Sequence, residues 1–495
     1  MGTLGRVQEM ALSESACQQA TAMMSVARAA FEKWRVVAPA ERARRAGVLR
    51  RQIAERRNEI ADAICSDTKK TRAEAFLSDI FPTLELLAYI EKHAARILRH
   101  RKRPTPIFFP ASKSYVDYRP LGVALVIAPW NNPLQLSIVP AASALAAGNV
   151  VVLKVSERTP AVAEVAASLF TEADFADAVR VNAGGAETAK ALVDARPDII
   201  FFTGGTENGR SVYAAAARQM IPAILELGGK DPMIVFADAD MSRAVHAAIF
   251  GAFSHAGQHC ISTKRLYVQR AAYEKFVEQL AAEARALTHC GNQNDERGLK
   301  AAVGQVREAL KMGARLLAPS AEDGIGVVPT VVTDCSHSMR VMREETFAPV
   351  LAVMPFDTPD EAVGLANDSP FGLNASVWSC DEPLAREVVA RLDAGNAYIN
   401  NVFINAGNPH LPFGGVKLSG MGRYHGPEGI LAFCEPVSVM VSRSKQEYEP
   451  AWFPHDDSKC ETIEQLIEAR HGRLGFWRRV LLWRKLYRKL MAGNR

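Results

Sequence analysis

The chain has 495 residues, of which 48% are hydrophobic and 23% charged, a composition typical of a globular protein large enough for more than one hydrophobic core. The net charge is +5, but the segment after Ala469 contains nine Arg and Lys residues and no Asp or Glu, so residues 1–468 carry −4. This distribution argues against nucleic-acid binding by the body of the protein and predicts an anionic partner for the tail alone. Its eight cysteines lie far apart with no CxxC pair, which argues against a disulfide framework or a zinc site, and we predict no metal.

Residues from about 12 to 100 are predicted to be helical, because Ala, Arg, Glu and Leu dominate and Gly and Pro are sparse. The chain shows neither a signal peptide nor a run of about 18 apolar residues, so we expect a cytoplasmic protein without a transmembrane helix. Four prolines within "RKRPTPIFFPASKSYVDYRP" end the helical region, and the alternating "SYVDYRP" predicts an exposed strand.

Short buried strands then alternate with helices along the chain. The strands are predicted at "GVALVIAPW", "VVVLKVSE", "VRVNAG", "DIIFFTG" and "PAILELGG", each followed by a helical segment or a Gly-rich turn. The alternation resumes after Gly229 with "PMIVFADA", "KRLYVQ", "LAVMPFD", "SVWSC" and "NAYINN". This pattern predicts an α/β fold with a doubly wound parallel, Rossmann-like sheet followed by a second α/β domain.

Two strand ends carry residues suited to a dinucleotide. In "FFTGGTENGR", Gly204 stands at the turn after the predicted strand and Gly209 lies in the next helix, where backbone approaches a phosphate; a plain helix start is the alternative. Lys154 and Glu157 end the strand "VVVLKVSE", where a carboxylate accepts ribose hydroxyls and repels a 2′-phosphate. A solvated strand end is the alternative interpretation of this second pair.

One cysteine stands in an unusual context, because Cys260 follows a Gly-Gln-His turn in "SHAGQHCISTKR". Free cysteines are often small buried hydrophobes, and this residue on its own fits that interpretation. A reactive thiolate is the alternative.

The motifs "PWNNP", "LKVSE", "FTGGTENG", "LELGGK", "GQHC", "REETFAPV" and "LPFGGVKLSGMGR", in this order between about residues 120 and 425, resemble those of the NAD(P)-dependent aldehyde dehydrogenase superfamily. The resemblance covers roughly residues 10–445. The segment "NPHLPFGGVKLSGMGRYHGPEGILAFCE" is similar to the branch that holds fatty-aldehyde and coniferyl-aldehyde dehydrogenases.

The resemblance implies a catalytic set. Cys260 matches the family nucleophile, which attacks an aldehyde carbon. Asn131 matches the side-chain donor to the resulting oxyanion, with the Cys260 backbone N–H as the second donor. Glu226 matches the base that activates water against the thioester, and its presence favours release of a free acid over transfer to coenzyme A.

The resemblance also implies a cofactor site for NAD, with NADP as the alternative. The matching residues are Trp130, Lys154, Glu157, Gly204, Gly209, Glu345 and Phe347. The chain departs from the family pattern at Gly205, where Ser is common, and at Thr346 and Ala348, where Ile and Gly are usual. His259 either lowers the pKa of the Cys260 thiol or forms part of the pocket wall.

Domain boundaries follow from the same resemblance. We predict a cofactor-binding domain over residues 1–101 and 121–228, and a catalytic domain over 229–425. Residues 102–120 and 430–445 are predicted to be oligomerisation strands of a homodimer or tetramer, and 446–495 a C-terminal extension.

The extension ends in "GFWRRVLLWRKLYRKLMAGNR", a predicted basic amphipathic helix. Its apolar stripe is predicted to contain Phe476, Val480, Trp483, Tyr487 and Leu490. Such a helix over residues 470–495 is typical of peripheral binding to an anionic membrane surface, and packing on protein is the alternative.

The sequence thus predicts an NAD-dependent aldehyde dehydrogenase that converts a hydrophobic aliphatic or aromatic aldehyde to its carboxylic acid. An acyl-transferring, coenzyme A-dependent enzyme and a catalytically silent membrane-bound scaffold are the two alternatives.

Overall fold

The computed structural model describes residues 14–106, 109, 111–287, 290–319, 328–445, 447, 449, 452–453 and 455–492. The described chain divides into two compact units. The first contains the described residues up to Arg99 together with Tyr118–Glu435, and the second contains His100–Asp117 with the described residues from Pro436 onward.

The strands of both units are, in chain order, β1 Arg101–Arg103, β2 Ser112–Pro120, β3 Val123–Ile127, β4 Val150–Ser156, β5 Val179–Gly184, β6 Ile199–Thr203, β7 Ala223–Glu226, β8 Asp231–Val235, β9 Thr263–Gln269, β10 Arg315–Ala318, β11 Thr330–Thr333, β12 Val350–Phe356, β13 Phe371–Gly372, β14 Asn374–Trp378, β15 Asn396–Ile399, β16 Val416–Lys417, β17 Gly420–Met421 and β18 Cys434–Ser442.

The helices are α1 Glu14–Trp34, α2 Pro39–Glu55, α3 Arg57–Thr68, α4 Arg72–Ala75, α5 Phe81–Ile97, α6 Gln135–Ala147, α7 Pro160–Phe170, α8 Ala186–Asp194, α9 Thr206–Arg218, α10 Met241–Phe253, α11 Arg270–Ala286, α12 Glu296–Lys311, α13 Arg340–Arg343, α14 Pro359–Asn367, α15 Glu382–Ala390, α16 Gly426–Leu431, α17 Asp457–His471 and α18 Phe476–Ala492. No helix among these described residues is both long and apolar enough to cross a bilayer.

The first unit contains a six-stranded sheet in the order β17-β7-β6-β3-β4-β5. Its five longer strands are parallel to one another, and only β17 runs antiparallel, against β7. The central strands β3, β4 and β6 are buried at every position, because helices cover a parallel sheet on both faces. The predicted doubly wound sheet is confirmed.

A second sheet in the same unit has the order β10-β11-β12-β9-β8-β14-β15. Its strands pair in parallel except for β10, which is antiparallel to β11. The predicted second α/β region is also confirmed. The strands β10 and β11 and the helices α12, α13 and α15 were not predicted from the sequence.

The second unit contains the three-stranded sheet β1-β2-β18 and the helix pair α17–α18. The helices pack through buried Leu466, Ala469 and Leu486, with Leu482 and Trp483 partly buried against them. This contact changes the face assigned to α18.

The predicted apolar stripe of α18 is divided in the structure, because Phe476 is exposed and Val480 partly exposed, whereas Trp483 is partly buried against the contact with α17. The side chains of Tyr487 and Leu490, which belong to the same predicted stripe, lie outside the described residues.

Replacing Leu486 with alanine is expected to weaken the α17–α18 pair by about 2 kcal/mol, because it empties the centre of a small apolar contact. Faster amide hydrogen exchange confined to the two helices would show this effect. Leu481→Ala on the exposed side of α18 is the matched control and should change the exchange little. Equal effects of the two variants would contradict the packing described above.

Candidate active site

The turn that carries Cys260 is held by buried polar contacts. It follows α10 and a short 3-10 turn, Ser254–Gly257, in which His255 and Ala256 have positive φ. The side-chain amide of Gln258 donates to the carbonyl oxygens of His255 and Asn292, both at 2.9 Å. The turn is therefore fixed before the chain enters β9.

Asn131 lies beyond the carboxyl end of β3 and contacts this turn directly. Its buried side-chain nitrogen donates to the backbone oxygen of Gln258 at 3.0 Å. A primary amide carries two N–H groups, so one remains for an oxygen beside Cys260.

Glu226 is the last residue of β7 and is only 4% exposed. Within the described part of the chain, neither of its carboxylate oxygens has a hydrogen-bond partner. Burial raises the pKa of Glu226 well above its usual value, and the Arg423 charge opposes that shift only in part. A buried carboxyl without a partner is costly for stability, which is typical of a group retained for chemistry.

The environment of Cys260 favours the neutral thiol. Burial raises the pKa of the Cys260 thiol, and the nearby carboxyl groups of Asp231, Glu226 and Glu345 raise it further. These electrostatic interactions place Cys260 and Glu226 in one site. The structure thus brings together the three residues proposed for catalysis, with Asn131 on the neighbouring loop.

A second cluster joins the "PWNNP" and "REETFAPV" segments. The rings of Trp130 and Phe347 meet edge to face at 5.8 Å between centroids, and the Arg158 guanidinium lies 4.9 Å from the centre of the Trp130 ring. The carboxyl group of Glu345 lies so close to Gly228 that a Cβ there would overlap it. Burial raises the pKa of Glu345 to about 7.

The predicted adenosine side of the site lies at the carboxyl ends of β4 and β6. The buried ammonium of Lys154 lies 3.8 Å from the exposed carboxylate of Glu157. Gly204 follows β6, and Gly209 is buried inside α9.

The start of α9 fits an anionic ligand. Its N-cap residue Gly205 supplies no side-chain cap, and nothing lies within 4 Å of the position where a Cβ would stand. The hydroxyls of Thr203 and Thr206 are buried without partners among the described residues. Free backbone N–H groups at a helix start, with two unused hydroxyls beside them, match the donors that a diphosphate requires.

His259 is buried, and burial lowers its pKa to about 3, with the charges of Lys70 and Lys264 acting in the same direction. Its imidazole is therefore neutral near pH 7. This shift disfavours a cationic His259 beside the Cys260 thiol, and both roles considered for His259 stay predictions.

Sequence analysis did not identify two lysines that shape the site. The Lys264 ammonium donates to the backbone oxygens of Gly257 at 3.0 Å and Ala348 at 2.7 Å, and so joins the turn that carries Cys260 to the segment after Phe347. Lys230 donates to the Thr346 hydroxyl at 2.6 Å. Thr346 thus supplies a hydrogen-bond acceptor to a buried lysine, which an isoleucine at this position could not do.

The chain is similar in sequence to known proteins over most of its length. Residues 7–439 match the family model described as "Aldehyde dehydrogenase family". A 4,4'-diapolycopene aldehyde oxidase from Methylomonas sp is 44% identical over 89% of this chain and 84% of its own. A 4,4'-diaponeurosporen-aldehyde dehydrogenase from Staphylococcus aureus is 32% identical over 81% of this chain and 88% of its own.

The chain is also similar in fold to solved structures of aldehyde dehydrogenases. A betaine aldehyde dehydrogenase from Staphylococcus aureus in complex with NAD+ superposes with a TM-score of 0.82 and 31% identity, covering 90% of this chain and 92% of that one. A Mycobacterium tuberculosis aldehyde dehydrogenase complexed with NAD+ gives a TM-score of 0.81 and 30% identity, covering 87% of this chain and 92% of that one.

The Cys260 thiol of the native chain is expected to alkylate more slowly near neutral pH than in the urea-unfolded chain. Its raised pKa leaves less thiolate at a given pH, so its rate should keep rising above the ordinary thiol pKa of about 8.5. Iodoacetamide labelling followed by mass spectrometry measures the rate at Cys260 alone. Faster labelling of the native than of the unfolded chain at pH 7 would contradict a raised pKa of Cys260.

Proposed function

The chain belongs to the aldehyde dehydrogenase family, and from that membership we propose that it oxidises a long apolar aldehyde to its carboxylic acid with NAD, through covalent intermediates on Cys260. The observation that carries the proposal is the convergence of the Cys260 thiol, the Asn131 amide and the unpartnered Glu226 carboxyl in one buried site.

The first step follows from the chemistry of the thiol. Cys260 first loses its thiol proton to water, and the resulting thiolate attacks the aldehyde carbon, so that the carbonyl oxygen becomes the oxyanion of a thiohemiacetal. The free N–H of Asn131 and the backbone N–H of Cys260 donate to that oxygen. Bound NAD supplies the hydride acceptor that converts this adduct to a thioester.

Glu226 serves the second step. In its carboxylate form it takes a proton from water, the resulting hydroxide attacks the thioester carbon, and the C–S bond breaks to release the acid and the Cys260 thiolate. Burial raises the pKa of Glu226, and only its carboxylate form acts as the base. This step is therefore expected to accelerate as the pH rises through the raised pKa of Glu226.

The cofactor residues follow the same logic. Trp130, Glu345 and Phe347 would hold the nicotinamide end, Lys154 and Glu157 the adenosine ribose, and the start of α9 with Gly204 and Gly209 the diphosphate. The exposed Glu157 carboxylate accepts from ribose hydroxyls and repels a 2′-phosphate, which favours NAD over NADP.

An apolar substrate is supported by a row of rings that begins beside the nucleophile. The centroids of His259 and Phe403 are 5.7 Å apart, and those of Phe403 and Phe250 are 5.4 Å apart. Phe250 is 51% exposed, so the row reaches the surface. The Methylomonas relative is likewise named for an aldehyde, as a 4,4'-diapolycopene aldehyde oxidase.

The exposed face of α18 supports peripheral membrane binding. Trp477 and Leu481 are 74% and 64% exposed, and Phe476 beside them is 71% exposed. The exposed bases Arg484 and Arg488 continue this face at helical spacing. Aromatic side chains next to basic ones fit the boundary of an anionic bilayer, where an apolar aldehyde dissolves.

The three-stranded sheet supports self-association. Its edge strand β1 is exposed throughout, and β18 is exposed at most positions. A small sheet with so little burial is marginal by itself, so we infer that it pairs with a second copy of the chain.

Glu226→Gln is expected to leave a burst of reduced cofactor of at most about one equivalent and to lower the steady rate by roughly 10²–10⁴-fold, because thioester hydrolysis loses its base. Absorbance at 340 nm with NAD and a screen of aliphatic and aromatic aldehydes measures both phases.

Cys260→Ala is the control for this experiment and should show no burst. Full steady turnover in Glu226→Gln would exclude Glu226 as the base. Turnover of the wild type only with added coenzyme A would indicate acyl transfer, and no turnover with any aldehyde would favour a silent scaffold.

Serine at both Phe476 and Trp477 is expected to reduce sedimentation with phosphatidylglycerol vesicles about tenfold or more, since two exposed aromatic anchors are lost. Turnover of a long apolar aldehyde dissolved in those vesicles should fall in parallel, while turnover of a short soluble aldehyde stays unchanged. Met220→Ser, which changes an exposed methionine in the first unit, is the control. Unchanged vesicle binding would exclude this face of α18 as the membrane contact.

A further inference from the structure

A buried ammonium lies behind the nucleophile turn. Lys70, between α3 and α4, donates to Asp79 at 2.6 Å, to the Ser78 hydroxyl at 2.9 Å and to the side-chain oxygen of Asn132 at 2.6 Å. The Lys70 and Asp79 side chains are fully buried. All three ammonium hydrogens are therefore used inside the protein.

Asp79 ties this ion pair to the helix that follows the "PWNNP" segment. Its second oxygen accepts from the backbone N–H groups of Leu134 and Gln135, at 3.1 and 3.2 Å, at the start of α6. A carboxylate with these partners stabilises both the buried lysine and the helix start. The position of Asn132 is thereby fixed from both sides.

The donors and acceptors along this chain of contacts have only one consistent assignment. An ammonium donates and never accepts, so the atom of Asn132 that faces Lys70 is its oxygen. The amide nitrogen then faces His259 Nδ1 at 3.2 Å. Because that nitrogen can only donate, Nδ1 of His259 must accept, and the ring proton must lie on Nε2.

We propose that Lys70, acting through Asn132, fixes His259 as the neutral tautomer protonated on Nε2 and thereby orients the His259–Cys260 peptide for catalysis. Lys70 and Asn132 are positioning residues, since they act through His259. The catalytic part of this inference rests on the proposed role of Cys260, whereas the tautomer does not.

The two adjacent asparagines hold successive residues of the same turn. Asn131 donates to the backbone oxygen of Gln258, and Asn132 donates to the ring of His259. The next backbone N–H is that of Cys260, the proposed oxyanion donor. A small rotation of this turn would move that N–H and the thiol together, and misplacement of reacting groups by about 1 Å can cost about 100-fold in rate.

The groups around His259 agree with a neutral ring. The charged or titratable side chains that act on it are His255 from the same turn, Lys70 from the α3–α4 junction and Lys264 from β9. The two lysines oppose a further positive charge, and burial lowers the pKa of His259 in the same direction.

Nitrogen-15 NMR of histidine side chains in the full-length chain tests the tautomer without any turnover. The His259 signal, assigned by its loss in His259→Gln, should report a neutral ring with its proton on Nε2 throughout pH 6–8. Titration of His259 in this range, or a proton on Nδ1, would overturn the proposal even if the aldehyde dehydrogenase activity is confirmed.

Asn132→Asp provides the second test. An aspartate accepts from both neighbours, so it should move the His259 proton to Nδ1 and favour the imidazolium. We expect kcat to fall on the order of tenfold with little change in KM, and the pH profile of kcat/KM to gain an ionisation at about pH 5–8.

Asn149→Asp is the matched control, because Asn149 is also buried with its amide bonded at both ends but lies beside α6 with no histidine among its described partners. It should lower stability without adding an ionisation to the pH profile. The same new ionisation in both variants, or none in Asn132→Asp, would overturn the positioning role.

Discussion

The Lys264 ammonium joins the two halves of the candidate active site, since it donates to Gly257 on the turn that carries Cys260 and to Ala348 beyond Phe347. Burial lowers the pKa of Lys264 to about 7, so the protein keeps this group close to the limit of its charged state. Two carbonyl oxygens from segments about 90 residues apart in sequence are thus held by one side chain. The distance between the Cys260 thiol and the segment around Phe347 therefore depends on the contacts of Lys264.

Ionisable groups near Cys260 have pKa values shifted by burial, upward for the carboxyl groups and downward for the amine. Burial raises the pKa of Asp231 to about 8 and of Glu345 to about 7, while it lowers that of Lys264. Burial favours the neutral form of both the carboxyl groups and the amine. The total charge in the site is therefore smaller than the number of ionisable side chains suggests. The groups around Cys260 therefore carry little net charge next to the thiol.

The sequence was sufficient for most of the parallel strands of the two sheets, because those strands are apolar runs between glycines and prolines, whereas β10 and β11 were missed. Motif order likewise pointed to Cys260, Glu226 and Asn131, which lie close together in the structure. Helix α12 was missed although Leu299, Ala302 and Val306 recur at helical spacing. The contacts of Lys70 and Lys264 were not predictable, because they join segments that are distant in the chain. The exposed face of α18 differed from prediction because α17 covers part of its apolar surface.

The three-stranded sheet and the α17–α18 pair lie in the same compact unit. If copies of the chain pair through that sheet, each assembly carries as many basic helix pairs as it has chains. Weak contacts linked in this way bind with avidity, which can exceed the affinity of one contact by about 10²–10⁴-fold. Membrane attachment would then depend on protein concentration, so that assembly and access to a dissolved aldehyde are governed by one equilibrium.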